Sequence, residues 1–222
     1  MPIGTDAILL GCGTADPIHV EEINKYLLYS GSDNIIGAGN YIRKHLLGDE
    51  RVPAAPTPLE KPFDGILSLD SGEVYYSLGE FTAKREFESY VGMLVNRQNW
   101  VRDDLAGERE LVRRIEERGI GVIPVFSNAG SNSLSFDEVM DTYFSIDGRL
   151  KIKALNNFQT FGIKAQDGNT VAEQSVIEFE RLGIPIVSPI RSFYLTKEQW
   201  RELTVPISAD MPSALITRKW AA

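Results

Sequence analysis

Four short apolar runs in the second half of the chain are separated by stretches with helical spacing. The runs are residues 91–95, 122–126, 152–155 and 184–187, and each is followed by polar residues. Helices are predicted over 104–118 and 170–182, and a glycine follows each of them. Apolar strands that alternate with amphipathic helices indicate a parallel sheet with helices on both faces. The pattern therefore predicts an α/β fold with an open parallel sheet of the Rossmann or flavodoxin type.

The first part of the chain has helical spacing. Asp16 and Pro17 are typical of a helix start, because aspartate accepts bonds from free amides and proline suits the first helical position. The apolar face of this helix is predicted to contain Ile18, Ile23, Tyr26 and Leu27. A second helix is predicted over 34–47, where Gly37 and Gly39 indicate close packing against another element.

The chain is predicted to have three parts. Residues 52–62 carry four prolines and are predicted to form an extended connector, and a short strand is predicted over 65–69. We therefore expect a helical lobe and proline-rich connector over 1–84 and an α/β parallel-sheet domain over 85–205. Residues 206–222 would be a C-terminal extension, and the abrupt end of the chain suggests that it is truncated.

The helix over 104–118 is predicted to turn an apolar side to the sheet and a charged side to solvent. The apolar side contains Leu105, Leu111, Val112 and Ile115. The charged side contains Glu108, Glu110, Glu116 and Glu117, which alternate with four arginines. Opposite charges four residues apart on a helix attract weakly, so we interpret this side as a solvated face rather than a functional arginine cluster.

Composition and charge narrow the classes of function. The chain has 222 residues, 43% of them hydrophobic, which is ample for a core. Its formal net charge of −8 argues against nucleic acid or an anionic membrane as a partner. No apolar run approaches the roughly 20 residues of a membrane span, and the N-terminus lacks signal-peptide features. The single cysteine, Cys12, cannot form an internal disulfide, which favours the cytoplasm. Two histidines and one cysteine leave little material for a transition-metal site.

Polar and aromatic residues follow each predicted strand. They are Asn96, Arg97 and Trp100 after the first strand, Asn128 after the second, Asn156 and Asn157 after the third, and Arg191 after the fourth. Right-handed crossovers place the carboxyl ends of parallel strands at one edge, where open α/β sheets bind ligands. Arg191 is the best candidate for binding a carboxylate, although an internal salt bridge is an equal alternative. The asparagines also suit tight turns. No catalytic residue or metal ligand is predicted.

The order of these segments resembles the large subunit of the cobaltochelatase (CobN) and magnesium chelatase family. The resemblance rests on VGMLVNRQNW at 91–100, ERGIGVIPVF at 117–126, ALNNF at 154–158 and LGIPIVSP at 182–189. It covers roughly residues 15–216 and includes SGSDN at 30–34. One departure is VPIS at 205–208, where the family has G-L-S. Members of that family are also much longer, so the chain looks like an N-terminal-side fragment or a stand-alone relative.

The resemblance implies a role in the ATP-dependent insertion of cobalt into a corrin or magnesium into protoporphyrin. In that family the large subunit binds the tetrapyrrole, and separate AAA-type subunits hydrolyse ATP. The chain has no Walker A sequence, so it would be a binding or scaffold domain without complete catalytic machinery. Its partners would be the tetrapyrrole, the rest of the large subunit and the ATPase subunits. The divalent metal and ATP would be bound at the level of the complex.

A tetrapyrrole is a flat apolar disc with carboxylates or amides at its rim, and the strand-end residues suit that shape. Trp100, Phe158 and Phe161 could stack on the disc, while Arg97, Arg191 and the asparagines could meet its rim. The alternative is a small-molecule-binding module of the periplasmic-binding or flavodoxin type, unrelated to tetrapyrroles. A nucleotide-sugar transferase is a weaker alternative, because the chain lacks an Asp-x-Asp metal site.

Overall fold

The computed structural model describes residues 16–127, 132–159, 180–189 and 197–202. The chain forms two compact units. The first unit contains Met1–Pro62 and Val101–Asp104, and the second contains Phe63–Trp100 and Leu105–Ala222. The domain boundaries that we predicted from the sequence remain a prediction.

The described part of the first unit begins with two helices and a π-helical turn. They are α1 (Pro17–Tyr29), α2 (Ser32–Tyr41) and the π-helix Ile42–Leu46. The predicted start of α1 is confirmed, because the side chain of Asp16 accepts a hydrogen bond of 2.9 Å from the amide of Ile18 and Pro17 is the first helical residue. The second predicted helix is also present, but its last turn widens into the π-helix.

The proline-rich connector is anchored to these helices. The side chain of Asn34, only 2% exposed, donates to the carbonyls of Ser30 and Leu59 at 2.9 Å and accepts from the Leu59 amide at 2.8 Å. The hydroxyl of Tyr26 donates to the carbonyl of Pro56. The side chain of Asn34 thus bonds to both the amide and the carbonyl of Leu59. In an extended segment these groups otherwise need a neighbouring strand as their hydrogen-bond partner.

Two details of the predicted helix packing were wrong. Ile23 and Tyr26 are buried as expected, but Ile18 is 70% and Leu27 is 38% exposed. At Gly37 the close packing is confirmed, because a Cβ there would lie 2.6 Å from Cε1 of Tyr26. Gly39 has no such neighbour within 4 Å.

A six-stranded sheet forms the centre of the second unit. Its strands are β1 (Gly65–Leu67), β2 (Val74–Tyr75), β3 (Tyr90–Asn96), β4 (Gly121–Ser127), β7 (Ile152–Asn157) and β8 (Ile186–Val187), in the order β2-β1-β4-β3-β7-β8. The four strands predicted from the apolar runs are parallel, which confirms the α/β fold. The sequence did not reveal that β1 joins this sheet, antiparallel to both β4 and β2. A separate hairpin is formed by β5 (Ser145–Ile146) and β6 (Arg149–Leu150).

Helices cover both faces of this sheet. The helices among the described residues of the second unit are α3 (Leu78–Lys84), α4 (Arg97–Val101), α5 (Ala106–Glu116), α6 (Phe136–Tyr143) and α7 (Lys197–Arg201), although the last residue of α4 belongs to the first unit. Most of the helix predicted over 170–182 lies outside the described residues. On one face, Val112 of α5 packs with Met93 and Val95 of β3. On the other face, α3 and α6 pack against Leu94 of β3 and Ile123 of β4. Successive strand residues therefore enter different cores, as expected for a sheet buried on both sides.

The predicted details of α5 are largely confirmed. Leu105 and Val112 are buried, and Leu111 and Ile115 pack against the same core. A capping box begins α6, since Ser135 and Glu138 bond to each other's backbone amides. The solvated face of α5 was predicted correctly for Glu110, whose pKa falls to about 2 beside Arg113 and Arg114. The prediction of a solvated side chain was wrong for Glu108, which is 1% exposed. Glu108 lies in the first turn of α5, where the helix dipole stabilises a carboxylate.

Candidate functional site

The carboxyl ends of the parallel strands meet at one edge of the sheet. Asn96 at the end of β3 lies beside Ser127 at the end of β4. On the other side of β3, Asn157 at the end of β7 pairs with Leu94. Asn156 lies beside Val187 of β8. We call this side of the sheet the strand-end edge.

The antiparallel strand β1 adds two further residues to the strand-end edge. Gly65, the first residue of β1, pairs with Phe126 near the end of β4. The preceding residues, Phe63 and Asp64, therefore lie at the same edge. Their contribution could not be read from the sequence, since β1 is far from β4 along the chain and runs in the opposite direction.

The topological switch point of the sheet lies between the neighbouring strands β3 and β7. Among the four parallel strands, the first in the chain is β3, the second, β4, lies on one side of it, and the third, β7, lies on the other. The helices α5 and α6, which leave β3 and β4 in turn, cover opposite faces. Loops that diverge in this way open a crevice at the carboxyl ends, which is where doubly wound sheets bind ligands. Asn96 and Asn157 lie on its two sides.

Arg97 begins α4 directly after β3, but it does not reach solvent. Its side chain is 0% exposed, and its guanidinium carbon lies 4.7 Å from the centre of the Phe63 ring. This distance is typical of a cation–π contact. Burial lowers the pKa of Arg97, although an arginine keeps its charge in proteins. The arginine thus places a positive charge beneath the strand-end edge and ties α4 to the segment before β1.

The asparagines differ in orientation and in local bonding. Side chains alternate along a strand, so Asn96 and Asn157 point to the α3/α6 face, as Leu94 and Leu155 do. Asn156 points to the α5 face. The Oδ1 atom of Asn96 accepts from the amide of Gln98 at 2.8 Å, and that of Asn157 accepts from the amide of Gln159 at 3.0 Å. Each of these two hydrogen bonds stabilises the turn that follows the strand. The Nδ2 atom of neither side chain takes part in these bonds.

Trp100 is partly buried and packs on the sheet. Its ring stacks on Phe126 of β4, with centres 4.2 Å apart and planes at 30°. Phe158, which was predicted to stack on a ligand, is buried with the same core. Three further predicted site residues, Asn128, Phe161 and Arg191, lie outside the described residues.

The structure adds two polar groups that the sequence analysis did not select. Asp64 accepts a hydrogen bond of 2.6 Å from the hydroxyl of Tyr143 and one of 3.2 Å from the amide of Leu134. Burial, and then the bond to Asp64, raises the pKa of the Tyr143 hydroxyl. Asn99 of α4 is buried, and in the described part of the chain its Nδ2 atom has no hydrogen-bond partner. Buried donors of this kind are rare in folded proteins.

A second polar cluster lies at the opposite edge of the sheet. Arg85 pairs with Glu116 at 3.2 Å and also contacts Asp70, which follows β1. Burial raises the pKa of Glu116, and the charge of Arg85 opposes that shift. Each charge in this cluster has an opposite partner, so we regard it as structural and place the candidate site at the strand-end edge.

The described residues contain neither a metal-binding cluster of three or more side chains nor a membrane-spanning helix. No group of three or more histidine, cysteine, aspartate or glutamate side chains is placed to hold a metal ion within residues 16–127 and the described segments that follow. In the same segments, no helix has the length and apolar character that a membrane crossing requires.

The fold and the strand-end edge define the class of protein. It is a doubly wound α/β protein with an added helical unit, and polar strand-end residues and a buried arginine lie at the switch point of its sheet. A family model described as CobN/Magnesium Chelatase matches residues 24–215, so the chain belongs to the CobN/magnesium chelatase family.

Two relatives show how much of a longer protein the chain covers. It is 30% identical over 194 residues to the uncharacterized protein MJ1441 of Methanocaldococcus jannaschii, a match to 84% of this chain and 15% of that protein. It also resembles the catalytic subunit of cobaltochelatase from Mycobacterium tuberculosis, with a TM-score of 0.51 and 17% identity. That match covers 97% of this chain and 17% of the subunit, and it shows a shared fold. The chain therefore spans less than a fifth of the length of either protein.

Proposed function

We propose that this chain is a tetrapyrrole-binding or scaffold part of the large subunit of an ATP-dependent metal chelatase. Cobalt with a corrin, or magnesium with protoporphyrin, would be the substrates of the whole enzyme, and AAA-type subunits would supply the ATP hydrolysis. Membership of the family supports this proposal. The observation that carries it is the β3–β7 switch point, where Asn96 and Asn157 end the two strands and the buried Arg97 directly follows β3.

The chemistry of the strand-end edge suits the rim of a tetrapyrrole. Carboxylates at the rim are hydrogen-bond acceptors, and the amide nitrogens of Asn96 and Asn157 are donors. The charge of Arg97 would attract a carboxylate without direct contact, because the protein interior screens charge less than water does. Trp100 would provide an apolar surface for the ring system. Asn128, Asn156 and Arg191 remain predicted contacts of the same ligand.

The proposal gives this chain binding but no bond-making chemistry. We assign no residue to deprotonation of the macrocycle or to metal insertion, and those steps would belong to other parts of the large subunit. The chain would act in the cytoplasm, where its other predicted partners are the rest of that subunit and the ATPase subunits.

The test is a titration of the purified chain with a cobyrinate-type corrin and, separately, with protoporphyrin. Binding would be followed by the absorbance of the macrocycle and by quenching of tryptophan fluorescence. We expect one macrocycle to bind at a single site. Trp100→Leu, which removes the aromatic ring, should weaken binding about 2–10-fold, since an aromatic contact contributes about 0.5–1.5 kcal/mol.

A variant series then locates the site. Asn96→Asp keeps the acceptor that bonds to Gln98 but replaces a donor with a negative charge, so it should repel a carboxylated rim. Arg191→Ala tests the predicted carboxylate contact. Arg149→Ala, at an exposed position in the β5–β6 hairpin, is the matched control for the loss of an arginine. If Asn96→Asp and Arg191→Ala bind the macrocycle as tightly as wild type and Arg149→Ala do, the strand-end edge is not the binding site. If neither macrocycle binds to the wild-type chain, only the scaffold role remains.

The alternative function can be tested in the same experiment. The strand order of the four parallel strands is also that of flavodoxin-type modules, which bind flavin mononucleotide at the corresponding switch point. Saturable binding of flavin mononucleotide that Asn96→Asp disrupts, without binding of a tetrapyrrole, would favour that alternative.

A further inference from the structure

The two histidines of the chain lie next to each other in the first unit. The composition contains two histidines in total, His19 and His45. His19 is on α1 and His45 is in the π-helix, yet their ring centres are 6.0 Å apart. The sequence offered no reason to pair them, because 25 residues and a change of helix separate them.

A tyrosine holds both rings in place. The hydroxyl of Tyr41 lies 2.9 Å from Nδ1 of His19, and the ring of Tyr41 lies against that of His45 with centres 4.5 Å apart. The bond to Nδ1 leaves the other ring nitrogen of His19 as the one available to a metal. Histidine ligands of metal ions commonly have their second nitrogen held by such a bond.

The spacing and the charge around the pair suit a cation. A metal–nitrogen bond is about 2.0–2.1 Å long, so two imidazoles that share one ion have ring centres about 5–6 Å apart. The chain as a whole carries a net charge of −8.

The backbone at this point is also unusual. His45 belongs to a π-helix of five residues, Ile42–Leu46, which continues directly from α2. Such π-helical turns are rare and often occur at functional sites, where they place a side chain that a regular helix would place elsewhere. His45 is exposed and His19 is half-buried, so an ion can reach the pair from solvent.

We propose that His19 and His45 together bind one divalent transition-metal ion, with Tyr41 as the residue that positions them. The ligand class is a first-row ion that favours imidazole nitrogen, such as zinc, copper, nickel or cobalt. With two protein ligands, water would occupy the remaining coordination positions of the ion. The site would therefore bind an ion reversibly rather than hold it permanently. This inference does not depend on tetrapyrrole binding, since every residue involved lies in the first unit.

The first experiment uses the intact chain with Zn²⁺ and no macrocycle. Calorimetry should show one Zn²⁺ per chain. The two histidine Cε1–H signals in the proton NMR spectrum should shift together, with the same midpoint, because both rings bind the same ion. A stoichiometry of two, or midpoints that differ, would show that the histidines bind independently and would overturn the shared site.

Substitutions provide the second experiment. His19→Ala and His45→Ala should each weaken Zn²⁺ binding by about 100-fold or more, and Tyr41→Phe by about 10-fold, as loss of a supporting contact does. Lys44→Ala, in the same π-helical turn, and Tyr76→Phe, at an exposed tyrosine elsewhere, are the matched controls and should bind normally. Unchanged affinity in either histidine variant would overturn the proposal. If either alanine variant fails to fold, two other results still test whether the histidines share one ion. They are the Zn²⁺ affinities of His19→Gln and His45→Gln and the NMR titration of the wild-type chain.

Discussion

Replacing Gly37 with alanine should destabilise the first unit, although alanine is the better helix former. Both Gly37 and Gly39 lie in α2, and either substitution removes about 1 kcal/mol of unfavourable helix propensity. At Gly39 the added Cβ would have nothing within 4 Å, so the Gly39→Ala variant should gain most of that amount. Gly39→Ala is therefore the matched control for the same chemical change in the same helix.

The environment of Gly37 opposes the gain. A Cβ there would lie 2.6 Å from Cε1 and 3.0 Å from Cδ1 of Tyr26, whereas carbon atoms in contact are about 3.5–4.0 Å apart. The ring would have to move by about 1 Å, but Tyr26 is 2% exposed and its hydroxyl is bonded to the carbonyl of Pro56. Overpacking of this kind costs about 1–3 kcal/mol. The Gly37→Ala variant should thus be about 0–2 kcal/mol less stable than wild type.

The measurement should report on the helices themselves, because two units need not unfold together. Hydrogen exchange by mass spectrometry, on peptides from α1 and α2, gives the local free energy of opening. We expect the two alanine variants to differ by about 1–3 kcal/mol. Combining Gly37→Ala with Tyr26→Leu, which removes the ring, should shrink that difference. Equal stabilisation by both alanines would refute the packing of Tyr26 on α2.

Three further predictions concern the second unit. Ser135→Ala removes the N-cap of α6 and should cost about 1 kcal/mol in urea unfolding. Gly92→Ala should cost about 1–3 kcal/mol in the same assay, because its Cβ would lie within 2.9 Å of three core side chains, whereas Gly107→Ala has open space and should be neutral or stabilising. In the Tyr143→Phe variant, the free energy of unfolding should decrease less at alkaline pH than it does in wild type. The raised pKa of the buried hydroxyl means that the unfolded chain loses this proton first, so wild-type stability falls as pH rises above about 10.

The sequence was sufficient to predict the parallel part of the sheet. Strands such as β3 and β4 are buried on both faces, and continuous apolar runs bounded by polar loops are the signal of that environment. The antiparallel addition could not be predicted, because β1 and β2 have three and two residues and so carry no periodic pattern. Their place in the sheet depends on a pairing with β4, about 60 residues away.

Packing inside the first unit was harder to predict from the sequence. The spacing of α1 was read as one apolar face, yet Ile18 and Leu27 are exposed while Ile23 and Tyr26 are buried. Periodicity identifies a helix but does not show which of its faces meets a partner. The change from α-helix to π-helix at Ile42 left no pattern at all, so the approach of His45 to His19 could only be found in the structure.

The position of the candidate site was predictable, but the role of its arginine was not. Strand ends are visible in the sequence, and topology brings those of β3 and β7 together. Whether Arg97 faces a ligand depends on Phe63, which is 34 residues away and reaches the edge only through β1. A guanidinium with no exposed surface cannot make the first contact with a macrocycle. Arg97 instead fixes the start of α4, and α4 in turn sets the positions of Asn99 and Trp100. The binding strength of the edge should therefore depend on how firmly β1 holds Phe63 against that arginine, which links the antiparallel strand to the site it borders.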